Sequence, residues 1–446
     1  MKLSRAFPVV CLCLLFGSGA WAKSRALGLA GDLGLGGFDG KATTTIQTGV
    51  DVQEGNLSLG LFGRVRFLIQ DQDDAEGGAV RGRDWDEASD YVHILRYLHY
   101  GRSWSTRETG EIKLAFQAGE VLGFTLGHGT LIRDYSNIAD PDHPHAGVHL
   151  QLAGARWQLA TMIDNFINPQ VVANRLALRP FKAIPALALG ASLVLDPQAP
   201  LVLEQQRDVD GAYNLLHHVS EPLTLLGLDV EYVVGDDSRG RLTPYADLNT
   251  SMLGLGFHVG TTGEVPVAGG RARLFGQMEY RLGSGGYAPA HIETFYDVER
   301  YQAGLAFEDP EDATHDEREP KLAGLARGIY GGQGILGQAG FIMRQRVQLK
   351  AGASYRPGPD AVSIWGRATT QPMPRLQLGL LVLARGVGGP HEGGGGVMAM
   401  AEGRLRLTEN LYTLAQYTRS WSLRASDRYF GILQSFNLCI GASWSG

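Results

Sequence analysis

The sequence predicts an all-β protein, a transmembrane antiparallel up-and-down β-barrel of about 16–18 strands. Apolar residues recur at every second position over runs of nine to fifteen residues, and glycine accounts for 61 of the 446 residues. Strands of soluble proteins cluster near about five or six residues, whereas a tilted membrane strand needs about 9–11. Because a backbone in lipid must satisfy every amide internally, we expect such strands to close into a cylinder.

Residues 1–22 are predicted to be a secretory signal peptide. Lys2 and Arg5 precede the apolar run 9–16, and small residues follow up to Ala22. The run is too short for an anchor, since a helix needs about 20 apolar residues to cross a bilayer. Cleavage after Ala22 leaves residues 23–446, which we expect to form one domain with Cys439 as its only cysteine.

Six runs of alternating polarity define the clearest strands. They cover residues 56–70, 224–234, 272–281, 346–355, 397–407 and 436–444. Weaker runs fall at 43–52, 91–100, 111–118, 148–153, 156–163, 186–195, 251–260, 298–307, 322–330, 361–370, 375–384 and 411–421. The glycine-rich and acidic segments 71–90, 308–320 and 385–396 are predicted to be solvent loops.

Charged side chains lie on the parity opposite to the apolar residues and should face a water-filled lumen. The predicted lining residues are Arg64, Arg66, Glu231, Arg271, Arg273, Glu279, Arg281, Glu402, Arg404 and Arg406. Rings of such charge on an inner wall set ion or solute preference. Alternatively, arginine and glutamate on adjacent strands pair across the wall and stiffen it.

The most distinctive segment is 124–137, with the sequence FTLGHGTLIRDYSN. Its His128, Arg133, Asp134 and Tyr135 are candidates for a loop that folds into the lumen, where Arg133 and Asp134 could pair. The other interpretation is an ordinary long loop packed at one mouth. Sequence alone leaves both open.

Several chemistries find no support. A net charge of -6 gives no concentrated basic face for nucleic acid. No GxSxG or GxxxxGK[ST] pattern occurs, so we expect neither a nucleophilic enzyme nor a phosphate-binding loop. His128, His143, His145 and His149 form a dense histidine region without an HExxH motif or cysteine pair. We therefore expect no metal site and no cofactor.

The signal segment, the alternating strands, the glycine content and the terminal strand 436–444 together resemble the outer-membrane β-barrel proteins of Gram-negative bacteria, porin-like in size. The resemblance implies an integral barrel surrounded by outer-membrane lipid, with both termini and short turns in the periplasm and longer loops outside. The chain departs from the usual aromatic last residue, because Ser445 and Gly446 follow Trp444.

The predicted function is an aqueous pore or conduit, alone or within an envelope complex. One alternative is a non-conducting barrel scaffold that binds periplasmic and surface partners in a machine for polysaccharide export or gliding motility. Others are an outer-membrane barrel enzyme and a secreted soluble β-sandwich. Fold cannot choose among these functions, and the sequence leaves the oligomeric state undetermined.

Overall fold

The computed structural model describes residues 25–38, 40–69, 80–81, 84–85, 88–101, 113–138, 145–207, 213–236, 238–301, 319–343, 346–358, 361–373, 375–387, 396–423 and 430–445. The predicted signal peptide, 1–22, lies outside these residues. So do most of the three predicted solvent loops.

Twenty-three β-strands make up most of the described chain. They are β1 (Arg25–Phe38), β2 (Lys41–Glu54), β3 (Leu57–Leu68), β4 (Leu95–Gly101), β5 (Lys113–Gly119), β6 (Leu122–Phe124), β7 (Tyr135–Ser136), β8 (Gly147–Ala153), β9 (Trp157–Ile163), β10 (Val172–Leu178), β11 (Leu187–Arg207) and β12 (Tyr213–Tyr232). The rest are β13 (Val234–Asp236), β14 (Gly240–Thr250), β15 (Leu255–Val267), β16 (Ala272–Gly283), β17 (Gly332–Met343), β18 (Val347–Tyr355), β19 (Val362–Met373), β20 (Leu376–Arg385), β21 (Gly396–Arg406), β22 (Leu411–Leu423) and β23 (Phe430–Ser445).

These strands form a closed antiparallel barrel. Each wall strand pairs with its neighbours in chain order, and β1 pairs with β23 from Gly28–Ser445 to Phe38–Ser435. Strands β6 and β7 form a separate hairpin, and β13 continues β12, so the barrel has twenty strands. The predicted fold class is confirmed, with more strands than the 16–18 expected.

The outer face of the barrel is apolar. On β23, Leu438, Ile440 and Trp444 are 53%, 65% and 70% exposed, whereas the intervening Cys439 is buried. On β16, Leu274 and Met278 likewise face outward. Exposed large apolar side chains at alternate positions are the surface that a lipid bilayer requires, and a closed sheet leaves no edge unpaired there.

The two ends of the barrel differ. At the end where β1 begins and β23 ends, which we call the terminus end, the turns include the short connections 55–56, 154–156 and 407–410. Longer connections, including 69–94, 120–146 and 284–331, lie at the opposite end, the loop end. This is the asymmetry that the outer-membrane resemblance implies.

Two of the longer connections turn into the barrel. We call residues 120–138 the first inner segment, and residues 284–301 with 319–331 the second inner segment. The second contains two short helices, α2 (Tyr296–Glu299) and α3 (Lys321–Arg327). A third, α1 (Ala88–Val92), lies in the connection before β4. Among the described residues, no helix has the length and apolarity needed to cross a membrane.

The inner segments share backbone hydrogen bonds and an apolar core. Ile132 and Ile292 form a parallel β-bridge, and both are fully buried. Around them packs a cluster that includes Leu131 and, from the inner face of the wall, Met162 of β9 and Leu225 of β12. Burying a side chain such as Ile132 contributes about 1.5–3 kcal/mol, so this core fixes the inner segments against one side of the barrel.

Two predicted strands belong to the second inner segment instead. Residues 322–330 form most of α3 and the turn after it, and residues 298–301 belong to α2 and the turn that follows. The remainder of the predicted strand 298–307 lies outside the described residues. Leu322 and Leu325 of α3 are buried in the inner core, and a short buried helix cannot be distinguished from a strand by its apolar content alone.

Candidate functional site in the lumen

A tight turn at residues 126–129 lies in the middle of the first inner segment. Gly127 and Gly129 have φ values of +58° and +82°, in the left-handed region that suits glycine, and Gly129 donates a backbone hydrogen bond to Leu126 at 3.0 Å. A Cβ at Gly127 would also approach Arg175 of β10 to within 2.8 Å of Nε. The two glycines therefore let the backbone approach the wall closely. His128, which lies between them in the chain, is thereby brought against the wall.

His128 connects the first inner segment to three strands of the wall. Its Nδ1 lies 2.9 Å from Oδ1 of Asp247, its Nε2 lies 3.1 Å from Oε2 of Glu231, and its ring stacks on Tyr245 at 3.9 Å between centroids. Gln277 of β16 donates to the His128 carbonyl at 2.8 Å. Burial alone would lower the pKa of His128, but the two carboxylates outweigh burial and raise it to about 9. The imidazole is thus a buried cation at neutral pH.

Arg133 forms the next attachment. It pairs with Glu293 of the second inner segment, which also binds Arg385 at 2.7 Å and lies 3.7 Å from Arg356. Burial by itself would raise the pKa of Glu293, but the three guanidinium groups hold it well below the usual range. One buried carboxylate therefore joins both inner segments to the ends of β18 and β20.

Arg133 and Asp134 do not pair with each other. Asp134 instead accepts two hydrogen bonds, of 2.6 and 2.8 Å, from the Lys350 ammonium of β18. Tyr135 is fully buried. The segment that the sequence marked as distinctive therefore lies in the lumen, and it contacts inward-facing residues of β12, β14, β16 and β18.

Among the described residues, an open cavity of about 900 Å³ lies in the lumen beside the inner segments. It lies between the inner segments and the wall formed by β1–β4 and β18–β23. Its lining extends from Phe38 and Arg385 at the loop end to Arg406 and Glu409 at the terminus end. The cavity therefore follows the full height of the barrel along one side.

Both signs of charge line this cavity. Arg66 pairs with Asp84 at 2.7 Å, and Arg96 lies 3.6 Å from Glu120. Several other lining charges have no ion pair within the part of the chain that the structure describes: Arg64, Arg367, Arg404, Arg406, Asp32, Asp51, Glu402 and Glu409. Such charges can attract or repel a passing ion.

Only some of the residues predicted to line a pore line the open cavity. Arg64, Arg66, Glu402, Arg404 and Arg406 line the open cavity. Glu231, Glu279 and Arg281 face inward but lie behind the inner segments, where Glu231 binds His128 and Glu279 accepts from Arg281 and His258.

Two predicted lining residues lie near the terminus end. Arg273 is half exposed and pairs with Glu264 of the neighbouring β15. Arg271 is exposed in the turn between β15 and β16, outside the wall. Neither Arg271 nor Arg273 lines the cavity.

The sequence interpretation omitted several cavity residues. Lys350 and Arg367 occupy inward positions of β18 and β19, and the period-two pattern of those strands could have identified them. Glu293 gave no comparable signal, because it lies in an irregular segment between β16 and α2.

Searches of protein-family models and of curated proteins find no match to this chain. Among solved structures, OccK11 (OpdR) of Pseudomonas aeruginosa is 11% identical with a TM-score of 0.35, covering 95% of this chain and 96% of that chain. OccAB3 of Acinetobacter baumannii is 9% identical with a TM-score of 0.33, covering 95% and 99%. A mutant of the P. aeruginosa ferric enterobactin receptor PfeA is 11% identical with a TM-score of 0.35, covering 95% and 81%.

With TM-scores below 0.5, these likenesses carry no information about solute or mechanism. The closed barrel and its apolar exterior are the independent observations. They make the chain an integral membrane β-barrel, the architecture found in outer membranes.

Proposed function

We propose that the protein provides an aqueous path across the outer membrane, along the side of the barrel that the inner segments leave open. The observation that supports this most is the cavity of about 900 Å³, whose lining includes residues from both ends of the barrel. Barrels with this many strands are wide enough to hold water rather than a complete side-chain core.

The path is narrower than the barrel itself. The inner segments take up the lumen beside β8–β12 and are held there by the ion pairs of His128, Arg133 and Asp134. A solute must therefore pass close to the lining charges, so we expect selectivity for small charged or polar solutes rather than free passage of large ones.

Reconstitution into planar bilayers tests the proposal. Folded protein should give discrete conductance steps smaller than those expected for an unobstructed barrel of the same diameter. Complete absence of conductance from correctly folded protein would contradict an aqueous path and favour the scaffold hypothesis.

The ion selectivity of lining variants tests whether the conducting path runs through the cavity. Arg64→Gln and Arg367→Gln each remove one positive charge from the cavity, so each should shift the reversal potential in a salt gradient toward greater cation preference. The matched control is Arg271→Gln, which removes an exposed arginine outside the lining. Equal shifts in all three variants would mean that the cavity is not the conducting path.

A second candidate function, partner docking, is favoured by the β11–β12 hairpin. β10 pairs with β11 only as far as Leu195, and β14 pairs with β12 only from Leu226, yet the hairpin continues to Arg207 and Tyr213. It therefore extends beyond its neighbours at the loop end, where no other described strand pairs with it and its edges are available to another protein. Crosslinking and co-purification from cells with and without residues 200–218 would test this function.

A further inference from the structure

Three separate segments meet at a buried cluster near the loop end. Asp164 directly follows β9, His145 precedes β8, and Asp297 lies in α2 of the second inner segment. All three residues are buried, Asp164 completely. The cluster lies outside the lining of the open cavity and outside the ion pairs of His128 and Glu293.

One ligand-type atom from each residue points toward a common point. His145 Nδ1 lies 4.0 Å from Oδ2 of Asp164 and 3.9 Å from Oδ2 of Asp297, and the three atoms lie within 4.8 Å of one another. Ligand atoms about 2.0–2.1 Å from a tetrahedral Zn²⁺ lie about 3.4 Å apart, so side-chain movements of about 0.5 Å would complete the geometry.

The surrounding hydrogen bonds orient the two carboxylates. Oδ1 of Asp164 accepts the backbone N–H groups of Gln170 at 3.0 Å and Val171 at 2.8 Å, which turns Oδ2 toward the cluster. The Tyr135 hydroxyl donates to Oδ1 of Asp297 at 2.8 Å, leaving the other oxygen of that carboxylate facing His145. Such outer contacts are typical of metal sites, where they fix the ligand orientation.

The charge balance also favours a cation. Two carboxylates next to each other in a buried site repel, and a cation held between them removes that repulsion. A divalent ion with two carboxylates and a neutral imidazole has no net charge, which suits a site without solvent.

We propose that His145, Asp164 and Asp297 bind a divalent transition-metal cation, with Zn²⁺ or Mn²⁺ as the chemical class. An imidazole with two carboxylates suits these ions better than calcium, which prefers oxygen ligands. The ion connects the second inner segment to the ends of β8 and β9 in the wall. Its role is therefore to hold that segment in place in the lumen.

The sequence could not reveal this site. Asp164 is 19 residues from His145 and Asp297 is 133 residues from Asp164, and no two of the three ligands share a motif. The expectation of no metal considered the neighbouring histidines, whereas the partners of His145 are distant aspartates brought together by the closed barrel.

Metal binding by the purified barrel in detergent tests the proposal. Protein stripped with EDTA is titrated with Zn²⁺ alone and with Mn²⁺ alone, and bound metal is counted after gel filtration. We expect one tight equivalent in the wild type, with an increase in thermal unfolding temperature. Asp164→Asn and His145→Gln should weaken that binding by about 100-fold or more, since even outer-shell partners are worth about 10- to 100-fold.

The matched control is His99→Gln, which removes a histidine of β4 away from the cluster and should bind as the wild type does. Asn at 164 retains an oxygen for the two backbone amides, and heat-modifiable migration on gels reports whether each variant folds. If the stripped wild type binds neither ion, the proposal is wrong. The proposal is also wrong if folded Asp164→Asn and His145→Gln both bind metal as tightly as the wild type. The metal would then be bound by surface histidines and not by the buried cluster.

Discussion

His128 is a charged residue buried between two carboxylates, and this arrangement makes its contribution depend on pH. The ordinary pKa is 6.5 and the folded value is about 9, so protonation is favoured by folding. A group whose pKa is raised by folding gives its full stabilisation at pH values below its pKa in the unfolded state. That stabilisation is lost as the pH rises through the pKa of the group in the folded state. From the two values, His128 contributes about 3 kcal/mol below pH 6.5, most of which is lost by about pH 9–10.

We therefore predict that His128→Gln destabilises the inner segments at pH 6 and has much less effect at pH 10. Protease accessibility of the first inner segment and thermal unfolding, measured from pH 6 to 10, give the comparison. Between pH 7.5 and 10, where an ordinary histidine is neutral, the control His99→Gln should show no such change in its difference from the wild type. A difference between His128→Gln and the wild type that stays constant over this range would show that His128 is not charged in the fold.

Glu293 has the opposite arrangement to His128, because it is a buried anion surrounded by three cations. Glu293→Gln leaves Arg133, Arg385 and Arg356 without a shared counter-charge, and breaking a buried pair in this way costs about 3–5 kcal/mol. The loss should appear as a lower thermal unfolding temperature. Glu319→Gln removes a carboxylate from the partly exposed pair with Arg327 and should cost about 0–1 kcal/mol. Similar costs for both variants would contradict the importance of this buried cluster.

At the scale of elements, the alternation of polarity predicted a strand where large apolar residues on one parity are opposed by polar side chains on the other. β16 is such a case, because Leu274, Met278 and Tyr280 face outward and Gln277 and Glu279 face inward. The pattern missed β1, β10, β14 and β17. β1 is rich in glycine on its inward parity, and β14 contains Pro244 with polar inward residues, so neither has the composition typical of a strand.

Glycine at Gly34 of β1 has a structural reason. A Cβ there would collide with the side chains of Asn437 and Cys439 on β23, across the seam that closes the barrel. Residues that weaken local strand propensity are thus required by a contact between the first and last strands. This kind of long-range requirement leaves no local signal in the sequence.

The first inner segment is an element whose removal should change passage without abolishing the barrel. Replacing residues 125–134 with a glycine-serine linker of equal length removes the attachments of His128, Arg133 and Asp134, while β5 and β8 retain their pairing. We expect a single-channel conductance severalfold above that of the wild type. The same replacement of residues 154–156, a turn at the terminus end outside the cavity lining, should leave the conductance unchanged.

An unchanged conductance after replacement of residues 125–134, in protein that still shows heat-modifiable migration, would mean that this segment does not restrict the path. Increased conductance in both replacements would instead indicate a general loosening of the barrel. Comparison of the two variants therefore separates the specific effect from the general one.

At the scale of the whole molecule, closure of the barrel was predictable and the filling of its lumen was not. Long alternating runs with one apolar parity require a closed cylinder in lipid whatever the details of each strand. The filling depends on pairs such as His128–Asp247 and Arg133–Glu293, separated by 119 and 160 residues. Only the register of the closed wall brings those partners together, so the segment 124–137 could be recognised as unusual but not positioned.

The apolar exterior is the property on which the membrane assignment depends, and the seam between β1 and β23 tests it directly. Ile440 is 65% exposed and lies opposite Leu33, which is 57% exposed. An arginine facing the middle of a bilayer costs about 2–4 kcal/mol in outer-membrane barrels. Ile440→Arg should therefore lower the stability of the barrel in liposomes by about that amount, measured by urea titration. Ile440→Ala keeps the surface apolar and should cost less. Equal stability of the two variants would show that Ile440 does not contact lipid.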